Sequence, residues 1–198
     1  METAMSLPKI AIIIGQTRES RFADKPAQWI LEQAQARDDF EAELVDLRDF
    51  DLPLFNEVAS NAWVPSSDAH AVAWQKKIAE FDGYLFVTAE YNRSITGALK
   101  NALDQAYVEW ARKPAAVFGY GSLGAARAAE HLRNIAVELQ MVPVRNGIHL
   151  GGTEFFKVHP LGGQNADMSE VAPVLAGSVT ATFDDLVWWA NATKAAKA

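Results

Sequence analysis

The chain has 198 residues, is 49% hydrophobic and carries a formal charge of −7, which is enough apolar material for one domain with a substantial core. The acidic balance argues against general nucleic-acid binding, which needs a basic patch, although a local cluster of donors can still hold one phosphate. With no cysteine there is no disulfide, thiolate nucleophile or Cys-ligated metal, as expected of a cytoplasmic protein.

The first nine residues lack the basic stretch and long apolar run of a secretory signal. The apolar run 10–14 is too short to span a membrane. Being nearly continuous, it reads instead as a strand buried on both faces. It ends in Gly15-Gln16-Thr17-Arg18-Glu19-Ser20-Arg21 and enters a helix marked by Ala27, Ile30, Leu31 and Ala34. Asp24 is the expected cap, with Pro26 in the first turn. Backbone amides at a helix start, the Thr17 and Ser20 hydroxyls and the guanidinium groups of Arg18 and Arg21 are the parts of a phosphate site. No Gly-Lys-Ser/Thr follows at P-loop spacing, which disfavours ATP or GTP hydrolysis.

The second strand is expected at 43–46 and is followed by a long loop, 51–68, and a helix marked by Trp74, Ile78 and Phe81. The third strand, 84–88, runs into a polar turn centred on Tyr91, Asn92 and Ser94, where Asn92 tolerates left-handed geometry. Thr96 then opens a helix with Leu99, Ala102, Leu103 and Ala106 on one stripe. The fourth strand, 115–119, leads into Gly119-Tyr120-Gly121-Ser122-Leu123-Gly124, a literal Gly-x-Gly-x-x-Gly. The dinucleotide fingerprint also needs an acidic residue about 20 positions later, where this chain has Val142-Pro143-Val144-Arg145-Asn146. The glycines fit a simpler role, letting backbone lie close to a flat ring. Ala128, Leu132, Ile135, Ala136 and Leu139 mark the next helix, with Arg127, Glu130, Arg133 and Glu138 facing out. A fifth strand at 141–144, a loop at 151–169 and a helix at 171–190 complete the order.

Alternating strands and helices predict an α/β fold with a parallel sheet covered on both faces. Five such strands suggest a flavodoxin-like three-layer sandwich in order 2-1-3-4-5, whose ligands sit at the carboxyl ends of the strands. The expectation is one domain over residues 1–198, with a core at 8–150 and a loop and helix at 151–198. His70, His131, His149 and His159 show no metal-ligand spacing. Tyr107, Trp110, Trp188 and Trp189 can pack helices or line a subunit interface.

Three segments together resemble one family. The succession Gly-x-Thr-Arg-x-Ser-Arg, Glu-Tyr-Asn-x-Ser-x-x-Gly-x-Leu-Lys-Asn-Ala-Leu-Asp and Tyr-Gly-Ser-x-Gly is similar to that of the NAD(P)H-dependent FMN reductases, flavodoxin-like enzymes that include quinone, chromate and azo-dye reductases. Asp51-Leu52-Pro53-Leu54-Phe55 adds to the likeness, which covers roughly Lys9 to Val144. The resemblance implies FMN as cofactor and NADPH or NADH as co-substrate. It puts the FMN phosphate at Thr17, Arg18, Ser20 and Arg21, the isoalloxazine and ribityl chain along Glu90, Tyr91, Asn92, Arg93 and Ser94, and the pyrimidine side of the ring at Gly121, Ser122 and Gly124. The chain departs from the pattern at Gln16, where Ser is common, at Arg93, where Gly is frequent, and at Thr96, where Pro is frequent. Arg93 is thereby free for the NADPH phosphate or a partner subunit.

The implied reaction is ping-pong hydride transfer from nicotinamide to flavin N5 and on to a flavin, quinone or similar small acceptor. No side chain need act as acid or base, and backbone amides of the 121–124 loop would stabilise charge near N1. The resemblance also implies a homodimer or dimer of dimers, with no nucleic-acid or membrane partner. The alternative is a flavodoxin-like FMN electron carrier without NAD(P)H turnover, disfavoured because the first loop lacks Thr-x-Thr-Gly-x-Thr. A flavin-free nicotinamide-binding protein and a pure interaction protein are the more distant readings.

Overall fold

A computed structural model of the chain describes residues 6–197. Four parallel strands build the centre: β1 (Lys9–Ile14), β2 (Glu41–Asp46), β3 (Gly83–Ala89) and β4 (Pro114–Tyr120), side by side as β2-β1-β3-β4. Side chains alternate across a strand, so β1, like β3 and β4, serves both cores. Ile10, Ile12 and Ile14 pack on one side with α1 (Asp24–Gln35) and α6 (Ala172–Ala195). Ala11 and Ile13 pack on the other with α2 (Ala69–Ala79), α3 (Gly97–Asp104) and α4 (Ala126–Glu138). Every residue of β3 and β4 is buried, which is why these segments read as unbroken apolar runs.

The order 2-1-3-4-5 holds, but the last position is shared. β5 is only Val142–Pro143 and pairs with the start of β4, while β6 (Ile148–Leu150) pairs with its end. The expected strand at 141–144 is therefore shorter, and a sixth strand was missed. Ile148 and Leu150 are buried with His149 exposed between them, an alternation that three residues are too few to announce.

The expected loop at 151–169 contains α5 (Gly152–Val158) and two 3-10 turns. It lies against the start of α1. Lys25 Nζ donates to the carbonyls of Val158 (2.9 Å) and Ala166 (2.6 Å), and Phe22 packs edge-on to Tyr120 and Phe155. The 51–68 loop is held to α3 by Asn101, whose amide donates to Pro53 O (2.8 Å) and accepts from Phe55 N–H (2.9 Å). Trp110 is fully buried against Trp74 and Tyr84, so of the four aromatics considered for an interface it packs the core, whereas Trp188 remains largely exposed.

Candidate functional site

The loops after β1, β3 and β4 meet at the carboxyl edge of the sheet, where β1, β3 and β4 are neighbours. Three hydrogen bonds join them, two of them buried. The Thr96 hydroxyl caps α3 by accepting from Leu99 N–H (3.1 Å) and donates to Gly15 O, tying the third strand's loop to the first. Gln16, 1% exposed, donates through Nε2 to the Tyr91 hydroxyl and accepts through Oε1 from the Tyr120 hydroxyl (2.8 Å). One carboxamide thus touches all three loops. Sequence reading singled out Gln16 only as a departure, because nothing local marks a glutamine whose two partners lie 75 and 104 residues away.

In the first loop the amides of residues 17–20 have no intramolecular acceptor among the described residues. Arg48, in the 3-10 turn after β2, explains how they are aimed. Its guanidinium donates to Thr17 O (3.2 Å) and Arg18 O. Across a trans peptide the C=O and the next N–H point oppositely, so the Arg18 and Glu19 amides face away from Arg48. Arg18 itself is exposed and stands 5.6 Å over the Tyr91 ring. These outward amides and one free cation form an anion cradle.

Arg21 does not join that cradle. Its guanidinium is buried and donates to Asp24 (2.9 Å), to Gln16 O (2.7 Å) and to both carboxylate oxygens of Asp46. Burial works against its charge, but the hydrogen bonds to Asp46 and Asp24 outweigh it and raise its pKa. Asp24 is likewise not the helix cap: Ala23 holds that position without a side-chain bond, and Asp24 faces Arg21. Asp46, approaching from the end of β2, occupies the Arg21 guanidinium, while Asp24 falls one residue past the cap because α1 already begins there.

The second loop is a tight turn in which Tyr91 and Ser94 exchange backbone hydrogen bonds (2.9 and 3.0 Å). Asn92 and Arg93 both have positive φ, 51° and 69°, the pattern of a type I′ turn that favours Asn-Gly. Glu90 was expected at the cofactor. Instead its buried carboxylate accepts from the amides of Arg127 (3.1 Å) and Ala128 (3.4 Å) and pairs with the Arg127 guanidinium. It caps α4 from a distance, since the residue before that helix, Ala125, offers no capping side chain. Burial would raise the Glu90 pKa; the Arg127 and Ala128 hydrogen bonds lower it further than burial lifts it. The Ser94 hydroxyl meets His131 Nδ1 of α4 at 2.6 Å. With both flanks bolted to α4, Tyr91, Asn92 and Arg93 are the side chains of this turn left for a ligand.

The third loop offers less than its glycines suggest. The Gly121 amide donates to Leu150 O (3.1 Å) and the Gly124 amide to Gly121 O (3.0 Å), leaving Ser122 and Leu123 as the amides without a partner among the described residues. A Cβ on Gly119 would lie 2.7 Å from Gly124 O, so that glycine serves the loop's own closure. Gly124 is gripped by His149, whose Nδ1 lies 2.8 Å from its carbonyl. Only Gly121, at φ +145° with open space where a Cβ would stand, keeps the expected close approach to a flat group.

Beside the first loop, toward β2, lies an open cavity of about 390 Å³, bordered by Thr17, Arg48, Asp51, Leu54, Gly97 and Asn101. Leu54, Val58 and Trp63 of the 51–68 loop are exposed. Taken together, the edge has an anion cradle, an aromatic face at Tyr91, a glycine floor at Gly121 and an adjacent cavity. The arrangement suits holding an extended anionic ring compound.

Comparison with known proteins agrees. The family model for NADPH-dependent FMN reductase matches residues 8–154. An NAD(P)H-dependent FMN reductase of a Nectria species is 34% identical over 148 residues, covering 70% of this chain and 74% of that protein. A 2-hydroxy-1,4-benzoquinone reductase of a Burkholderia species is 36% identical over 141 residues, covering 68% and 73%. Among solved structures, the flavoenzyme NAD(P)H:(acceptor) oxidoreductase FerB of Paracoccus denitrificans superposes with a TM-score of 0.67 at 26% identity, over 94% of this chain and 99% of that one.

Proposed function

The chain belongs to the NADPH-dependent FMN reductase family, and from that premise we propose how its own residues carry out FMN-dependent reduction of flavins, quinones or similar small acceptors by NAD(P)H. When bound, FMN supplies the redox chemistry, taking hydride from nicotinamide and passing it to the acceptor. The residues at the carboxyl edge fit the group. The unpartnered amides of residues 17–20, with Arg18, suit its phosphate, and the Thr17 and Ser20 hydroxyls add donors. Tyr91, under Arg18 at the mouth of the cradle, stands where phosphate and arm meet, Asn92 and Arg93 flank the arm and ring, and Gly121 with the Ser122 amide lies along the ring. Arg21, Glu90, Ser94 and Gly124 hold these parts in place from behind. The Ser122 and Leu123 amides are the donors left to stabilise charge at the pyrimidine end.

The observation that carries this reading is the run of unpartnered amides at 17–20, two of them turned outward by Arg48, beside an aromatic face. The test is the visible spectrum of the purified protein before and after anaerobic NADPH. A flavin band that NADPH bleaches is expected. A colourless protein that FMN does not reconstitute would sink the reading, and bound flavin without steady NAD(P)H turnover would turn it toward an electron carrier.

The exposed apolar side chains Leu54, Val58 and Trp63 beside the site support a homodimer or dimer of dimers with each copy's 51–68 loop near a site, and a sequence without cysteine suits the cytoplasm. Among the described residues no helix is long and apolar enough to cross a membrane. Arg93, at the tip of its turn and without a side-chain partner among the described residues, is assigned to the extra phosphate of NADPH. Equal losses with NADPH and NADH in Arg93→Ala would count against that role.

A further inference from the structure

The two hydrogen bonds of Gln16 have a direction. Tyr120 is 3% exposed, so its hydroxyl hydrogen needs an acceptor inside the protein. Gln16 Oε1 is the acceptor it has, at 2.8 Å. Turning the carboxamide over would let Nε2 donate to the Tyr120 oxygen but leave the Tyr120 hydrogen buried without an acceptor. Nε2 must therefore face Tyr91, which then accepts and cannot donate to Gln16. The Tyr91 hydroxyl donates to no group among the described residues, and Tyr91 is half-buried at the mouth of the anion cradle, under Arg18.

We infer that Gln16 is a positioning residue: the chain Tyr120→Gln16→Tyr91 fixes the Tyr91 hydroxyl as a hydrogen-bond donor to an oxygen at the phosphate end of FMN. A shorter side chain at this position, such as serine, could not span both phenols. The charged groups around the relay are Arg18 over the Tyr91 ring and Arg21, which donates to Gln16 O and is itself neutralised by Asp24 and Asp46. Neither competes for the Tyr91 hydrogen, since both are donors.

The inference rests on FMN being the ligand, and the experiment separates the two questions. Apoprotein is titrated with FMN and with riboflavin by quenching of flavin fluorescence, for wild type, Tyr91→Phe, Gln16→Glu and the double variant. If wild type fails to bind FMN, the functional reading falls. Given wild-type binding, Tyr91→Phe should weaken FMN by about tenfold, the worth of one hydrogen bond to a charged group, and leave riboflavin unchanged. Gln16→Glu is nearly isosteric and accepts from both phenols, so it takes the Tyr91 hydrogen away from the ligand. It should show the same loss, and adding Tyr91→Phe to it should cost nothing more. If Gln16 merely packed the loops together, Tyr91→Phe would cost the same in both backgrounds, and that result would overturn the inference, as would wild-type FMN affinity in Gln16→Glu. Should Gln16→Glu not fold, Tyr91→Phe alone decides: unchanged FMN affinity refutes the donor role, and a phosphate-specific loss sustains it.

Discussion

The two ends of the sheet share strands and cores but treat polar groups differently. At the amino end, Asp82 accepts from Lys9 N–H (3.0 Å) and from Lys194 (3.1 Å), and the buried Lys113 ammonium rests on Ile78 O, Ala79 O and the Tyr84 hydroxyl. Tyr84 in turn donates to Ile78 O (2.9 Å). At the carboxyl end, the amides of residues 17–20, 122 and 123, the guanidinium groups of Arg18 and Arg93 and the Tyr91 hydroxyl hydrogen have no hydrogen-bond acceptor among the described residues. Strand geometry does not make the difference. A folded chain pairs its buried polar groups, and where a set of converging donors is left over, the partner is a ligand.

Arg21 tests where the boundary between the two regimes runs, since it sits in the cradle's own loop yet belongs to the paired class. Arg21→Ala should destabilise the fold by about 3 kcal/mol in urea unfolding, because it strands the partly buried Asp46. A loss below about 1 kcal/mol, the range of surface pairs, would place Arg21 with the free donors.

Lys113 gives a comparable signal at the amino end. Burial, with Lys197 adding repulsion, lowers its pKa from 10.5 to about 8. Between those values the unfolded chain binds more protons than the folded one, so stability rises with pH across that window, by up to roughly 3 kcal/mol. Below pH 8 the desolvated charge is present in full and the fold carries its cost. Unfolding free energies of wild type and Lys113→Met between pH 7 and 10.5 should differ in slope; parallel curves would mean the amino end is more solvated than its geometry shows.

At the carboxyl end, Arg18→Ala should weaken FMN binding by about tenfold or more, the worth of a charge-assisted contact, and leave the melting temperature unchanged. A drop in melting temperature would make Arg18 structural and blur the contrast with Arg21. The smallest effect is expected at Arg93, whose φ of 69° is a left-handed conformation. Arg93→Gly should stabilise the apoprotein by about 1 kcal/mol. A loss of stability would show that the arginine side chain makes a holding contact of its own.

The sequence made some of these elements legible and hid others, for physical reasons. β1, β3 and β4 were readable because burial on both faces leaves an unbroken apolar run, and Thr96 as an N-terminal cap was readable because capping is local. Arg18 and Arg21 were not separable, since only the fold brings Asp46 to one of them. Glu90 carried a family motif yet serves α4, 36 or more residues on, and the Gly-x-Gly-x-x-Gly pattern combined a glycine for close packing, one for an open surface and one held by His149. Residue type indicates what a side chain can offer; whether the offer remains free depends on contacts distant in the chain.

The division of the last strand position between β5 and β6 bears on how copies of this chain can meet. A long parallel edge with unpaired amides invites further strands and, with them, open-ended growth. Here that edge is broken into pieces of two and three residues, one of them containing Pro143, which has no N–H to donate. The opposite edge, β2, bears charged side chains, Glu41, Glu43 paired with Lys77 and Asp46 paired with Arg21, and charge on an edge strand discourages the addition of another. Both borders of the sheet are therefore closed to extension. Association must run through side-chain surfaces, which can form a closed assembly, and the exposed strand edges do not template a fibre.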